Sequence, residues 1–151
     1  MQRIAIALLL SILAACSSEQ APRPAEFIPP QSAQVDFDNI RVYYNAVPTL
    51  ALSAQTADSY QIKRSPDSAL VVIAVRRHDG NDEMPAVGNV QVQIRDLTGQ
   101  VRQSPELHPI ETGNLIDYIG LVPVQSRDTL RFNVSLEADG RQRQFDFLRN
   151  F

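Results

Sequence analysis

From Val35 to the end of the chain, apolar and polar residues alternate in short runs divided by turn residues. Val35 and Phe37, then Ile40, Val42 and Tyr44, recur at every second position, with a phase shift near Asp38-Asn39. That period places alternate side chains on one face of an extended chain, so it predicts one bent strand or two short ones, ended by Pro48. Ser53 to Tyr60 (SAQTADSY) predicts a short helix with Ser53 as its N-cap. Leu70 to Val75 is a continuous apolar run, the pattern of a strand covered on both faces. His78 to Pro85 (HDGNDEMP) reads as a polar loop. Val90, Val92 and Ile94 alternate cleanly, and Leu97-Thr98-Gly99-Gln100 reads as a turn. Val101 to Ile110 predicts a weaker strand, interrupted by Pro105 and Pro109 and therefore expected at a sheet edge. Leu115 to Val124 is strongly apolar; Leu130, Phe132, Val134 and Leu136 alternate. Asp139-Gly140 is a hairpin signal, followed by Phe145 and Phe147 in the same phase. The sum is an all-β chain: an immunoglobulin-like antiparallel sandwich of about seven strands with one short helix, a small β-barrel being the alternative. No Cys–Trp–Cys core exists, so an antibody-type domain is excluded.

The N-terminal region has no such period. Arg3 is followed by an apolar run from Ile4 to Leu13, broken only by Ser11. The run is too short to cross a bilayer, which takes about twenty residues, and fits the apolar part of a secretory signal. Leu13-Ala14-Ala15-Cys16 closes it and resembles the bacterial lipobox, in which two small residues precede a cysteine. That resemblance implies a leader over residues 1–15, cleavage before Cys16, a thioether from its sulfur to diacylglycerol, and acylation of the freed amine. The implied partner is a lipid bilayer. Each buried methylene contributes about 0.8 kcal/mol and a single chain binds reversibly, so two or three chains make the attachment effectively permanent. Ser17, where an Asp favours inner-membrane retention in enterobacterial sorting, resembles the outer-membrane class. Residues 16–34, with Pro22, Pro24, Pro29 and Pro30 among small polar residues, read as a tether, and residues 35–151 as the folded domain.

Composition narrows the chemistry. The chain of 151 residues carries a net charge of −3, so no basic field exists to hold nucleic acid. One cysteine excludes an internal disulfide. No Gly-x-Ser-x-Gly elbow is present, and His78 and His108 read as surface residues rather than catalytic bases. Asp79-Gly80-Asn81-Asp82-Glu83 resembles a calcium loop only faintly, since Met84 stands where glycine is needed and the distal Glu is missing. Six scattered glycines build no phosphate loop. The expectation is therefore a non-enzymatic chain with no catalytic set, metal site or cofactor. Arg76-Arg77 and Arg141 to Arg143 read as solvated strand ends. Tyr43, Tyr44, Asn45 and Tyr118 are the candidate binding residues. Tyr43 and Tyr44 must point to opposite faces of one strand, which puts one in the core and leaves the other exposed to a partner. Asn45 is expected in a left-handed turn.

Several stretches together carry a family likeness: Val42-Tyr43-Tyr44-Asn45-Ala46-Val47-Pro48-Thr49, Tyr60-Gln61-Ile62-Lys63-Arg64-Ser65, Asp96-Leu97-Thr98-Gly99-Gln100, Ile116-Asp117-Tyr118-Ile119 and Leu130-Arg131-Phe132. In order and spacing they resemble exported proteobacterial proteins grouped as domain of unknown function 4426, over Val35 to Phe151. The resemblance implies an all-β periplasmic domain and no particular activity. The chain departs from the family picture in its lipobox, where an ordinary signal peptide is commoner, and in a longer His78–Pro85 loop. Three functions are compatible with this reading. They are a protein-binding or scaffolding module of the cell envelope, a small-ligand carrier or enzyme with a pocket between the sheets, and a structural envelope-stress protein.

Overall fold

The computed structural model describes residues 33–80 and 82–151. Cys16, the leader and the tether lie outside the described residues, except that the first strand starts at Gln34, one residue earlier than the alternation places it. Ten strands follow one another: β1 (Gln34–Phe37), β2 (Ile40–Pro48), β3 (Ser68–Asp79), β4 (Asp82–Pro85), β5 (Asn89–Arg95), β6 (Val101–Gln103), β7 (His108–Thr112), β8 (Leu115–Pro123), β9 (Thr129–Ala138) and β10 (Arg141–Asn150). A short α-helix, α1 (Ala54–Ser59), lies between β2 and β3.

The strands form two antiparallel sheets. The larger runs β1-β2-β3-β8-β7, with β4 also on β3; the smaller runs β10-β9-β5-β6. The fold is thus an all-β sandwich, and the barrel alternative is set aside. Alternation decides what enters the core: Ile40, Val42, Tyr44 and Ala46 from β2 face Phe132, Val134 and Leu136 from β9. Aromatic rings run through it, with Phe132 stacked on Phe147 at 4.8 Å and Phe147 on Tyr44 at 4.6 Å.

The continuous apolar run in β3 has the predicted cause. Its inward residues Val71, Ile73 and Val75 join the main core, while Leu70 packs outward with Ile62 and Ile119 under the segment carrying α1. Ser53 caps α1, its hydroxyl accepting from the Thr56 N–H at 3.0 Å. Thr49, fully buried, fastens the segment: its hydroxyl donates to the Ser65 carbonyl and accepts from the Ser65 N–H.

Several expectations are corrected. Ten strands replace about seven: the first stretch is two strands, β1 and β2, and two further stretches fold differently. His78–Pro85 is a hairpin: β3 continues to Asp79 and β4 pairs back on it from Asp79↔Asp82 to Arg76↔Pro85. Backbone pairing there outweighs the polarity that read as loop. Val101–Ile110 divides into β6 and β7, which lie in different sheets, since Pro105 ends the first before the chain crosses over. Asn45 sits within β2, and positive φ among the described non-glycine residues falls instead on Asp38, Gln61, Arg127 and Asp139. Arg76 and Arg143 are buried rather than solvated. At the fork where β8 and β4 take successive lengths of β3, Arg76 donates to the Val75 and Ile116 carbonyls and pairs with Asp117. Arg143 donates to the Ala138 carbonyl at 2.9 Å.

Candidate functional site

The smaller sheet is incomplete along β5. On one side β9 pairs with the whole strand, from Asn89↔Glu137 to Arg95↔Arg131. On the other, β6 pairs only with Ile94 and Arg95, across a bulge. On that side residues 89–93 have no strand beside them among the described residues. The chain leaves β6 instead and crosses to the larger sheet, with Ser104 to Leu107 passing alongside. Between that crossing and β5 lies a cleft of about 690 Å³.

Outward side chains of three strands floor the cleft: Gln91, Gln93 and Arg95 of β5, Arg131, Asn133 and Ser135 of β9, and Gln144 of β10. Val90 and Val92 also border it although their side chains are core. Their main chain is therefore what faces the opening. The phase agrees: Asp96, two steps beyond Ile94, donates its N–H on the β6 side, to Gln100 at 3.0 Å. Alternation then turns the N–H and C=O of Val90 and Val92 to the cleft, and those of Gln91 and Gln93 to β9.

Two glycines seat this arrangement. A Cβ on Gly120 of β8 would lie 2.7 Å from Leu107 Cδ2 and 2.9 Å from the Glu106 carbonyl oxygen, so bare backbone is what lets the cleft wall settle. Gly88, just before β5, has no room for a Cβ against Glu137 and Leu136. Its main chain is clamped from the larger sheet by Tyr118, whose hydroxyl donates to the Gly88 carbonyl at 2.7 Å and accepts from the Gly88 N–H at 3.1 Å.

The charges at the C-terminal end of the cleft are specific. Arg95 and Arg131 stand directly opposite across β5 and β9. Arg131 pairs with Asp146 at 3.0 Å. Arg95 donates to the Gly99 carbonyl at 2.7 Å and to Gln93 Oε1, neither of them a carboxylate. Asn133 Oδ1, in the same floor, is occluded and accepts no hydrogen bond from the described residues.

The four predicted binding residues are elsewhere and do not come together. Tyr44 is the core member of its pair, stacked on Phe147 and tilted against Phe145. Tyr43 faces outward as expected, and its hydroxyl donates to Glu83 Oε1 at 2.6 Å. That bond to a carboxylate raises the Tyr43 phenol above its ordinary pKa of 10.0. Arg41 bridges Asp36 at 2.7 Å and Glu83 at 3.2 Å, and its hydrogen bond holds the Asp36 carboxyl below the usual range. The cluster ties β4 to β1 and β2. Tyr118 serves the cleft only by holding Gly88. Asn45 seals an edge: its Oδ1 accepts from the Ala46 N–H at 2.9 Å and from Arg149 at 3.3–3.4 Å. The cleft residues were missed because Gln91, Gln93 and Asn133 read as the wet face of a strand. Gly120 inside an apolar strand was the one available signal of a close approach.

The other edges are blunted in familiar ways. β1 and β6 are short, β7 contains Pro109, and β10 carries Arg141, Arg143, Asp146 and Arg149. Among the described residues no group of three or more His, Cys, Asp or Glu side chains could hold a metal ion.

The family model described as Domain of unknown function (DUF4426) matches residues 34–151. Among solved structures, a DUF4426 family protein from Pseudomonas aeruginosa PAO1 is 24% identical, with 78% of this chain and 92% of that chain covered and a TM-score of 0.63. A copper-bound variant of FetP from uropathogenic Escherichia coli strain F11 has a TM-score of 0.51 at 8% identity, covering 78% of this chain and 91% of that one. FetP of the same strain as isolated, expressed recombinantly in the Escherichia coli periplasm, has a TM-score of 0.50 at 9% identity over 78% and 90%. These likenesses concern the fold. No curated protein matches the chain. The family match spans the entire sandwich from its first strand to its last residue, and the chain belongs to the DUF4426 family.

Proposed function

We propose that this protein is a non-catalytic binding module of the bacterial cell envelope. Acyl chains on Cys16 hold it on the periplasmic side of a membrane, the outer more than the inner, and it takes an extended segment of a partner protein along β5. The observation that carries the reading is the open edge at Val90 and Val92, beside a polar cleft. Unpaired main-chain groups on a strand are a template for another strand, and strand addition gains affinity from main-chain bonds and specificity from alternate side chains. Amides and hydroxyls in the floor suit a polar polypeptide. Placement rests on the lipobox, and on a fold shared with a protein that was expressed in the periplasm. A photo-crosslinking residue placed at Gln91 or Gln93 of the full chain in cells tests the proposal. The two positions should join partner residues two apart in one extended segment, as mapped by mass spectrometry. The same adducts from Leu50, exposed in the 3-10 turn that follows β2, would overturn it. For the anchor, Cys16→Ala should abolish palmitate labelling and free the protein from membranes; a retained label would refute lipidation there.

A further inference from the structure

We propose that the segment taken by β5 carries a carboxylate side chain, seated between Arg95 and Arg131. The inference rests on the strand-addition reading and specifies its ligand. Like charges directly opposite on neighbouring strands destabilise a sheet, so a cross-strand arginine pair calls for a compensating anion. Asp146 supplies half of it, to Arg131. Arg95 spends its donors on a carbonyl and an amide, and no salt bridge forms at it among the described residues. Both arginines border the same cleft, at the end where β6 begins. A guanidinium presents paired N–H donors in a fork that matches a carboxylate.

Position along the cleft follows from the wall. Continuing the antiparallel course of β6 carries Glu106 back alongside the Val90 half of β5. An acidic side chain would meet repulsion there and attraction at Arg95. The added strand therefore places its acid at the Arg95 end and neutral residues against Gln91 and Gln93.

The test uses the full chain in detergent, labelled with ¹⁵N. It is titrated with acetylated and amidated nine-residue peptides of alternating Val and Thr, bearing one Glu, Gln or Lys. The amides of Val90 and Val92 should shift with each peptide, and the Glu peptide should bind about tenfold more tightly than the Lys peptide. Substituting Arg95→Gln together with Arg131→Gln should erase that preference and leave the Gln peptide unchanged. Equal affinities in the native protein, or a preference that survives the double substitution, would overturn the carboxylate seat while strand addition stands. Absence of shifts at Val90 and Val92 with all three peptides would overturn both.

Discussion

β2 runs on past its neighbour β1, and β5 runs on past β6, yet only one of the bare edges is sealed. On β2 the Tyr44 N–H still reaches the Ala33 carbonyl, at 2.9 Å. In the same phase, the Ala46 N–H is taken by Asn45 and Pro48 has no N–H to offer. Arg149 of β10 pins the Asn45 oxygen in place. On β5 the groups in the corresponding phase, at Val90 and Val92, meet an open cleft. Unprotected edges invite aggregation, which is why folds commonly blunt them. One edge is sealed by a side chain bonded to its own backbone and the other is left open behind a shaped wall, and the proposed strand addition rests on that contrast.

Three substitutions probe this contrast, in falling order of effect. Both edges are displayed on one aromatic core, so Phe147→Ala should erase the difference by loosening both sheets. A fully buried ring of this kind costs about 3–5 kcal/mol on truncation, read by urea unfolding. Tyr118→Phe removes only the hydroxyl that clamps Gly88 and should cost about 1–3 kcal/mol, because it strands two main-chain groups. It acts on one side of the comparison: amide exchange by NMR should quicken in β5 and stay unchanged at Ala46. In the native protein the Val90 and Val92 amides should already exchange about tenfold faster than those of Gln91 and Gln93. Equal rates would mean that the edge is covered. Asn45→Ala unseals β2 for about 1 kcal/mol. Its sharper readout is association, since sedimentation should show stronger concentration-dependent association than in the native chain.

What could be read in advance follows from the physics of each signal. Burial on one face imprints a period of two, so β2, β5, β9 and β10 stand out from Ile40, Val90, Leu130 and Phe145 onward. The Ser53 cap and the Asp139-Gly140 hairpin are local chemistry and were legible for that reason. Extending β3 and pairing β4 on it depends on backbone bonds that polar residues make as readily as apolar ones, so HDGNDEMP looked like loop. The division of Val101–Ile110 between two sheets is a long-range choice that Pro105 marks only as a break. The cleft was least legible. It consists of a strand that stops early, a wall that approaches over Gly120, and two arginines brought together from residues 95 and 131, and none of these leaves a pattern in a linear window. Tyrosines are large and amphipathic, which suits a binding surface, and the same qualities make Tyr44 and Tyr118 useful in packing.

The smallest effect concerns acid, and it separates the two regions by the source of their stabilisation. Asp36, at the β1–β2 corner, owes its depressed pKa chiefly to the Arg41 hydrogen bond. Asp96, at the turn leaving β5, owes its own first to the Thr98 hydroxyl and, after a smaller opposing effect of burial, to the Gln100 and Thr98 backbone N–H groups. Each folded-state value lies below the ordinary carboxylate value of 3.8, so each group adds stability that is present above that pH. That stability is lost as pH falls through 3.8 toward the depressed folded value. Asp36 is exposed and Asp96 only partly buried, so the losses are slight. Salt distinguishes them: screening weakens attraction to a guanidinium far more than hydrogen bonds from neutral donors. Urea unfolding between neutral pH and pH 3 should show a shallow decline of which high salt, or Arg41→Gln, removes the Asp36 share. Thr98→Val should remove a share that salt leaves intact. If salt flattened the whole decline, the turn beside β5 would be held by charge, and the contrast between the two regions would fail at this point.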